Sequence, residues 1–250
     1  MTSDKTPKKK KLRVRKKEKT RQAILAAAEE FFSKQPMNEV SLEEIAEAAF
    51  VSRTTLYNYF KNKDAIFFGL GVEKFEDLIN RYGENYSDDL SGFEQVIQLC
   101  EIAFSAAQHN PLTHEIIREF YKRIQYHNIS LNELHGKIKK AQLSDAKYRL
   151  RTQQYETLLE KFEEPYLIEF YIRIERNTVL WINAVKKGKA DGTITNDLNA
   201  DQIVEFMYML LMGIEDEMKL RESTLDRIGL DITTINENIM NLIASFLKKS

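Results

Sequence analysis

Ser41-Leu42-Glu43-Glu44-Ile45-Ala46-Glu47-Ala48-Ala49-Phe50-Val51-Ser52-Arg53-Thr54-Thr55-Leu56-Tyr57-Asn58-Tyr59-Phe60-Lys61-Asn62-Lys63 contains two helix starts separated by about one turn of chain. Ser41 can accept from the backbone N–H groups of the helix it precedes, and Glu44 can reach back, so Ser-x-x-Glu is a capping box. Leu42, Ile45, Ala46 and Ala49 then share one face, with Glu43, Glu44 and Glu47 turned to solvent. Ser52 is the next good N-cap, and Val51, Leu56 and Phe60 give a second, shorter helix its buried stripe. Two helices joined by so short a link cannot lie antiparallel. They cross at about 90–120°, the arrangement of a helix-turn-helix.

The second helix leaves Arg53, Thr54, Thr55, Tyr57, Asn58, Tyr59, Lys61 and Lys63 outside, with no acidic side chain among them, although the first helix is acid-rich. Arg can donate a bidentate fork to guanine, Asn can pair with adenine, and Thr, Tyr and Lys suit phosphate oxygens. Such a face fits a duplex groove. Leu56 and Phe60 belong to the core, Tyr57 divides between core and phosphate contact, and Lys61 reads as solvated.

Ile24-Leu25-x-Ala27-Ala28-x-x-x-Phe31, Ser41-Leu42-x-x-Ile45-Ala46 and Val51-Ser52-x-x-Thr55-Leu56-Tyr57-x-Tyr59-Phe60-x-Asn62-Lys63-x-x-Ile66 together resemble the DNA-binding domain of the tetracycline-repressor (TetR) family. The resemblance covers roughly residues 18–70, and its Leu-Tyr-x-x-Phe-x-x-Lys portion is the most specific part. It implies a dimeric bacterial transcription regulator, with a three-helix homeodomain-like reading head and a larger helical effector-binding and dimerisation domain. It places Arg53 and Thr54 at base edges and Thr55, Tyr57, Tyr59 and Lys63 at phosphates. Asn58 suits either role, and Ser41 and Ser52 sit at helix starts near the DNA backbone. Phe50 stands where relatives usually carry Gly, so the turn is either altered or locally strained.

The 250-residue chain is 43% hydrophobic and 30% charged, ordinary values for a globular protein, and its 9 Gly and 4 Pro argue against a many-turned architecture. With little strand-like alternation, the expected class is all-α. The net charge of −1 conceals an asymmetry. Residues 1–21 carry eleven basic and two acidic side chains, a balance of +9, which leaves −10 for the remainder. A basic head on an acidic body suits a chain that meets nucleic acid at one end only. Cys100 stands alone, which agrees with a reducing cytoplasm. No apolar run reaches the ~20 residues of a membrane span, and no hydrophobic segment follows the basic start, so neither membrane nor secretion is expected.

Taken in order, residues 1–16 are too polar and like-charged to fold alone and are expected to form a disordered basic arm that touches phosphates or the minor groove. The helix-turn-helix domain occupies 17–63, opening with a helix from Lys17 to Ser33 that Pro36 stops. A connecting helix follows over 64–81. There Gly69 and Gly71 offer either a hinge or room for close packing. The segment from Tyr82 to Gly92 has loop composition. Residues 82–250 form the helical ligand-binding and dimerisation domain. Helices are expected near Phe93–Ala107, from Leu112, around Tyr155–Phe162, over Pro165–Lys187, from Asn199 to Arg221 and over Thr234–Lys248. The helices at 165–187 and 199–221 have more apolar surface than one core needs, which suits a four-helix interface between two copies.

The resemblance implies an effector pocket in the C-terminal domain. Phe104, Phe120, Tyr121, Tyr155, Phe170, Tyr171, Trp181 and Met207 are its candidates, though each could be plain core. They suit an apolar or aromatic small molecule. The reading is thus a homodimer on an inverted-repeat duplex, released by that effector, with an architectural DNA-binding role as the alternative. Enzyme chemistry is not expected. The acid pairs Glu29-Glu30, Glu43-Glu44 and Glu163-Glu164 diverge on helices, and no phosphate loop, nucleophile elbow or zinc spacing occurs. No cofactor or metal is called for.

Overall fold

The capping signals place the helix starts. In the computed structural model, which describes residues 6–85, 87, 89–110, 112–126 and 165–248, ten α-helices and one 3-10 turn are present and no strand occurs among these residues. The helices are α1 (Thr6–Phe32), α2 (Leu42–Ala48), α3 (Arg53–Tyr59), α4 (Lys63–Asn85), α5 (Gly92–His109), α6 (Leu112–Tyr126), α7 (Pro165–Ala190), α8 (Ala200–Leu220), α9 (Glu222–Ile228) and α10 (Ile232–Leu247); the 3-10 turn is Met37–Glu39. Ser41 and Glu44 form the reciprocal box ahead of α2, Ser52 accepts from Thr55 N–H, and Asn199 with Gln202 closes the same box ahead of α8. Asn62 Oδ1 accepts from Ala65 N–H at 2.8 Å, as its place before α4 requires.

Packing groups the described residues of Met1–Lys74 with those of Pro111–Ile172 in one compact unit, and those of Phe75–Asn110 with Arg173–Ser250 in another. The contiguous boundaries read from sequence do not anticipate this grouping, because α4 and α7 each contribute to both units. In the first unit, Ile24, Leu25, Ala28 and Phe32 of α1, Ile45 of α2, Leu56 of α3 and Ile66, Phe67, Phe68 and Leu70 of α4 are buried together with Ile116, Phe120 and Phe170. In the second, Val96, Leu99 and Cys100 of α5 are fully buried with Trp181, Ala184 and Val185 of α7, Ile203, Val204 and Met207 of α8, and Ile243 and Leu247 of α10. Burial pushes the Cys100 thiol well above its usual range, which makes it inert packing.

Three expectations need correction. The basic stretch from Thr6 to Lys16 is helical, continuous with α1, and only residues 1–5 of the expected arm lie outside the described residues. Lys and Arg are good helix formers, and Pro7 sits in the first turn, where a missing N–H costs nothing. Once residues 21–32 are packed, the helix extends outward without a new nucleus. Second, α4 runs on to Asn85, so Tyr82 is a core residue, 2% exposed, rather than the start of a loop. Third, a short helix, α9, precedes α10 where none was read. The helix expected around Tyr155–Phe162 lies outside the described residues.

Close packing of neighbouring side chains accounts for Gly69 and Gly71 of α4. A Cβ at Gly71 would stand 2.7 Å from Ile116 Cγ2 and from Phe170 Cδ2, and one at Gly69 would stand 3.1 Å from Phe60 Cε1. In the second unit, α5 approaches α7 so closely that a Cβ at Gly92 would fall 1.8 Å from the Gly188 nitrogen. The first N–H groups of α5 are satisfied there from afar: Asp191 Oδ2 accepts from Gly92 N–H at 2.8 Å and Thr193 Oγ1 from Phe93 N–H at 3.1 Å. Gly71→Ala is expected to lower stability by about 1–3 kcal/mol through overpacking. Gly83→Ala, with nothing within 4 Å of its Cβ, is expected to raise it by up to ~1 kcal/mol. Urea unfolding of both variants checks the contrast.

Candidate nucleic-acid interface

Leu56 and Phe60 are both 0% exposed, and this decides how α3 sits. Phe60 packs with its ring centroid 5.1 Å from that of Tyr166 in the first turn of α7, and Tyr166 also lies under the Arg21 guanidinium at 5.8 Å. Arg21 in turn is ion-paired with Glu73 at 2.5 Å and Glu18 at 3.3 Å. The last cation of the basic head is therefore 7% exposed and ties α1 to α4. With one face of α3 fixed inward, two rows spaced four apart face solvent: Arg53 with Tyr57, and Thr54 with Asn58. Thr55 and Tyr59 are half-buried at the edges of this face.

Not every residue read as a contact is equally available. Ser41 is engaged in its own capping box: its Oγ is 2.6 Å from Glu44 Oε2 and accepts from Glu44 N–H at 3.2 Å. Ser52 Oγ accepts from Thr55 N–H at 3.1 Å and shares a 2.8 Å contact with the Thr55 hydroxyl. Lys63 donates to the carbonyls of Asn38 at 3.2 Å and Val40 at 2.5 Å, so two of its three N–H donors brace the turn ahead of α2. Arg53, Thr54, Tyr57 and Asn58 are exposed. Tyr57 to Tyr59 also border a cleft of about 210 Å³ closed by Lys61, Asn62 and Pro165 to Leu167.

Sequence reasoning missed one feature. Glu43 of α2 reaches across the turn to Arg53, with Oε1 2.7 Å from a guanidinium nitrogen, so the acid-free face of α3 has an acid at its edge. Both side chains are more than half exposed, which makes the pair worth about 0–1 kcal/mol and easy to exchange for a phosphate or a base edge. Tyr57, with its ring centroid 5.6 Å from the guanidinium carbon, and then Glu43 hold Arg53 more firmly protonated. Glu43 is visible in the sequence, but its reach to Arg53 depends on the crossing of the two helices.

The turn answers the alternative that the sequence left open at Phe50. Phe50 adopts φ 55 and is 96% exposed. Phe50 N–H donates to the Glu47 carbonyl at 3.0 Å and Val51 N–H to that of Ala46 at 2.9 Å, the two bonds of a Schellman closure with Phe at the position glycine usually fills. The turn is thus strained rather than altered.

A head of this geometry has known counterparts. Residues 24–70 match the model of the family described as "Bacterial regulatory proteins, tetR family". Over those residues the chain carries a TetR-family DNA-binding domain. An uncharacterized HTH-type transcriptional regulator of Haemophilus influenzae is 23% identical over 109 residues, 44% of this chain, which spans 58% of that relative's length. Among solved structures, the fatty acid degradation regulator FadR of Bacillus halodurans superposes with a TM-score of 0.60 at 14% identity, covering 97% of each chain. FadR of Bacillus subtilis in complex with stearoyl-CoA gives 0.57 at 16%, covering 90% of this chain and 98% of that one. At such identities the two structures establish a shared all-α TetR fold, and the matched family is one of regulators, not enzymes.

The described candidate effector residues are divided between the two units. Phe120, Tyr121, Phe170 and Tyr171 form one aromatic set in the first unit, with Phe120 5.4 Å from Tyr121 and 5.5 Å from Phe170. It is a packed set, although Tyr121 is 49% exposed. Phe104, Trp181 and Met207 lie in the core of the second unit, and Tyr155 lies outside the described residues. None of them lines the cleft beside α3. Aromatic spacing alone could not separate two cores, because both repeat with the helical period.

No helix among the described residues is long and apolar enough to cross a membrane, and no cluster of metal-ligating side chains occurs among them. Phe50→Gly is expected to raise stability by about 1 kcal/mol, seen as a higher thermal midpoint, because glycine adopts the left-handed conformation freely. Glu43→Gln is expected to tighten duplex binding about two- to fivefold by freeing Arg53, as measured by fluorescence anisotropy.

Proposed function

We propose that this TetR-family chain is a homodimeric transcription repressor that reads an inverted-repeat operator through α3 and is released by an apolar small molecule. The observation that carries the reading is the exposed double row Arg53/Tyr57 and Thr54/Asn58, held outward by fully buried Leu56 and Phe60. Arg53 and Thr54, at the start of α3, are the base-edge readers. Thr55, Tyr57, Tyr59 and the remaining donor of Lys63 are placed for phosphates, and Asn58 serves either. The extension of α1 adds a sequence-independent contact: residues 12–17 are all exposed and include Arg13, Arg15, Lys16 and Lys17.

Dimerisation is supported by the two-sided character of α8. Ile203, Val204, Met207 and Leu211 are buried in the core, while Phe206 and Met209 are 43% and 60% exposed on another face. Val179 of α7 and Leu242 of α10 are exposed at 49% and 53%. Apolar surface of this kind is what a second copy would cover. The proposed effector class is supported by the likeness to a FadR structure that holds stearoyl-CoA, a ligand with a long apolar chain. The effector acts by binding the two reading states unequally.

Selection of bound fragments from random duplexes is expected to return an inverted repeat, and light scattering is expected to give twice the chain mass. Met209→Glu is expected to yield monomers whose operator affinity falls at least about a hundredfold. Arg53→Ala is expected to cost about 1–3 kcal/mol and to relax preference at one base pair of each half-site. A monomer without sequence preference would refute the proposal.

A further inference from the structure

Three polar groups inside the second unit have no hydrogen-bond partner: the Tyr82 hydroxyl, the Trp181 indole Nε1 and the Asn177 Oδ1. Their residues are 2%, 1% and 6% exposed. Asn177 and Trp181 are one turn apart on α7, on the same face. Asn177 Nδ2 donates to Tyr208 Oη at 2.9 Å, and the Tyr208 ring meets Trp181 edge-on at 5.5 Å. Whichever way the amide is turned, one end is on Tyr208 and the other is unpaired. Burial raises the Tyr82 hydroxyl far above its usual range, and the Trp181 indole works against that shift, so the two polar groups are close neighbours.

An unpaired polar atom in an apolar core is costly, and orphaned groups gathered at one place require an explanation. The core cluster that contains Tyr82 and Trp181 also includes Val96, Leu99, Cys100, Phe104 and Met207, all apolar or inert. Tyr82 supplies an O–H donor and Trp181 an N–H donor, and the donors of two neighbouring groups are satisfied together by one oxygen acceptor. A carboxylate would suit this place poorly. The nearest buried cation along α7, Arg173, is already ion-paired with Glu76 at 3.1 Å, so a buried anion would lack a counter-charge. Met207, unbranched and flexible, is the core side chain best able to give way to a ligand.

We propose that Tyr82, Trp181 and Asn177 form the polar end of the effector site, and that the effector is a neutral apolar molecule presenting a carbonyl oxygen to the Tyr82 and Trp181 donors. The inference rests on the effector-released reading given above and specifies its ligand. A hydroxyl near the carbonyl would add a bond to the free end of Asn177. The rest of the molecule is apolar and displaces side chains of the Met207 neighbourhood.

Trp181 is the single tryptophan of the chain, so its emission reports from the site without any need for DNA. The probes are methyl ketones of six to twelve carbons and the matching straight-chain carboxylates, titrated into the full-length protein, with thermal midpoints recorded in parallel. At least one ketone is expected to change Trp181 emission saturably and raise the midpoint, with the matching carboxylate at least about tenfold weaker. Tyr82→Phe is expected to raise the midpoint of the unliganded protein, because it removes an unpaired hydroxyl, and to weaken the ketone about tenfold. A merely structural Tyr82 would not move the two readouts in opposite directions. The site is overturned if no ketone perturbs emission or midpoint, as when ordered water alone satisfies these groups, if carboxylates bind as tightly, or if Tyr82→Phe keeps its ketone affinity. Operator retention is read in the same samples. A ketone that binds yet leaves the operator complex intact upholds the site and refutes effector release. A ketone that releases DNA without touching Trp181 emission refutes the site and leaves the release mechanism standing.

Discussion

Burial of Leu56 and Phe60 is the constraint from which the rest of the reading head follows. A seven-residue helix has no stability of its own, so α3 exists only because one face is packed. Once that face is fixed, rotation about the helix axis is fixed too, and the identity of the exposed residues ceases to be a matter of choice. The packing extends beyond the head. Phe60 stacks near Tyr166, Tyr166 lies beneath Arg21, and Arg21 is bonded to Glu73, so α1, α3, α4 and the first turn of α7 share one set of contacts. A change at the start of α7 therefore has a physical route to the end of α3.

The charge distribution acts at two ranges. In the proposed complex, the basic stretch of α1 would give a long-range attraction that carries no sequence information and weakens with salt. Arg53 would act there at short range, and its exposed ion pair with Glu43 costs little to break. Lys63 shows the opposite compromise. Its cation is largely invested in holding the chain before α2, which positions the head at the expense of a freely mobile phosphate contact.

The features legible in the sequence were those written locally. Ser41 and Ser52 cap helices where their side chains and spacing said they would, because a cap needs partners only three residues away. The unread features depend on partners distant in sequence: Glu43 on Arg53, Lys63 on Asn38 and Val40, and Asp191 on an N–H ninety-nine residues earlier. Tyr82 looked like the edge of a loop because Gly83 follows it, yet packing continues α4 past both. The aromatic candidates for an effector site fall in two units, which their spacing could not reveal. The polar atoms that distinguish one of those units, on Tyr82 and Asn177, attract no notice in a hydrophobic pattern.

The central claim, that two copies of α3 enter the major groove of one duplex, is tested most directly by methylation interference on the selected operator. The account predicts that guanine N7 methylation blocks binding at two symmetric clusters about one helical turn (~10 base pairs) apart, or a multiple of it, and that Arg53→Ala removes the effect at one guanine in each cluster. Binding indifferent to N7 methylation, or a single asymmetric cluster, would contradict it.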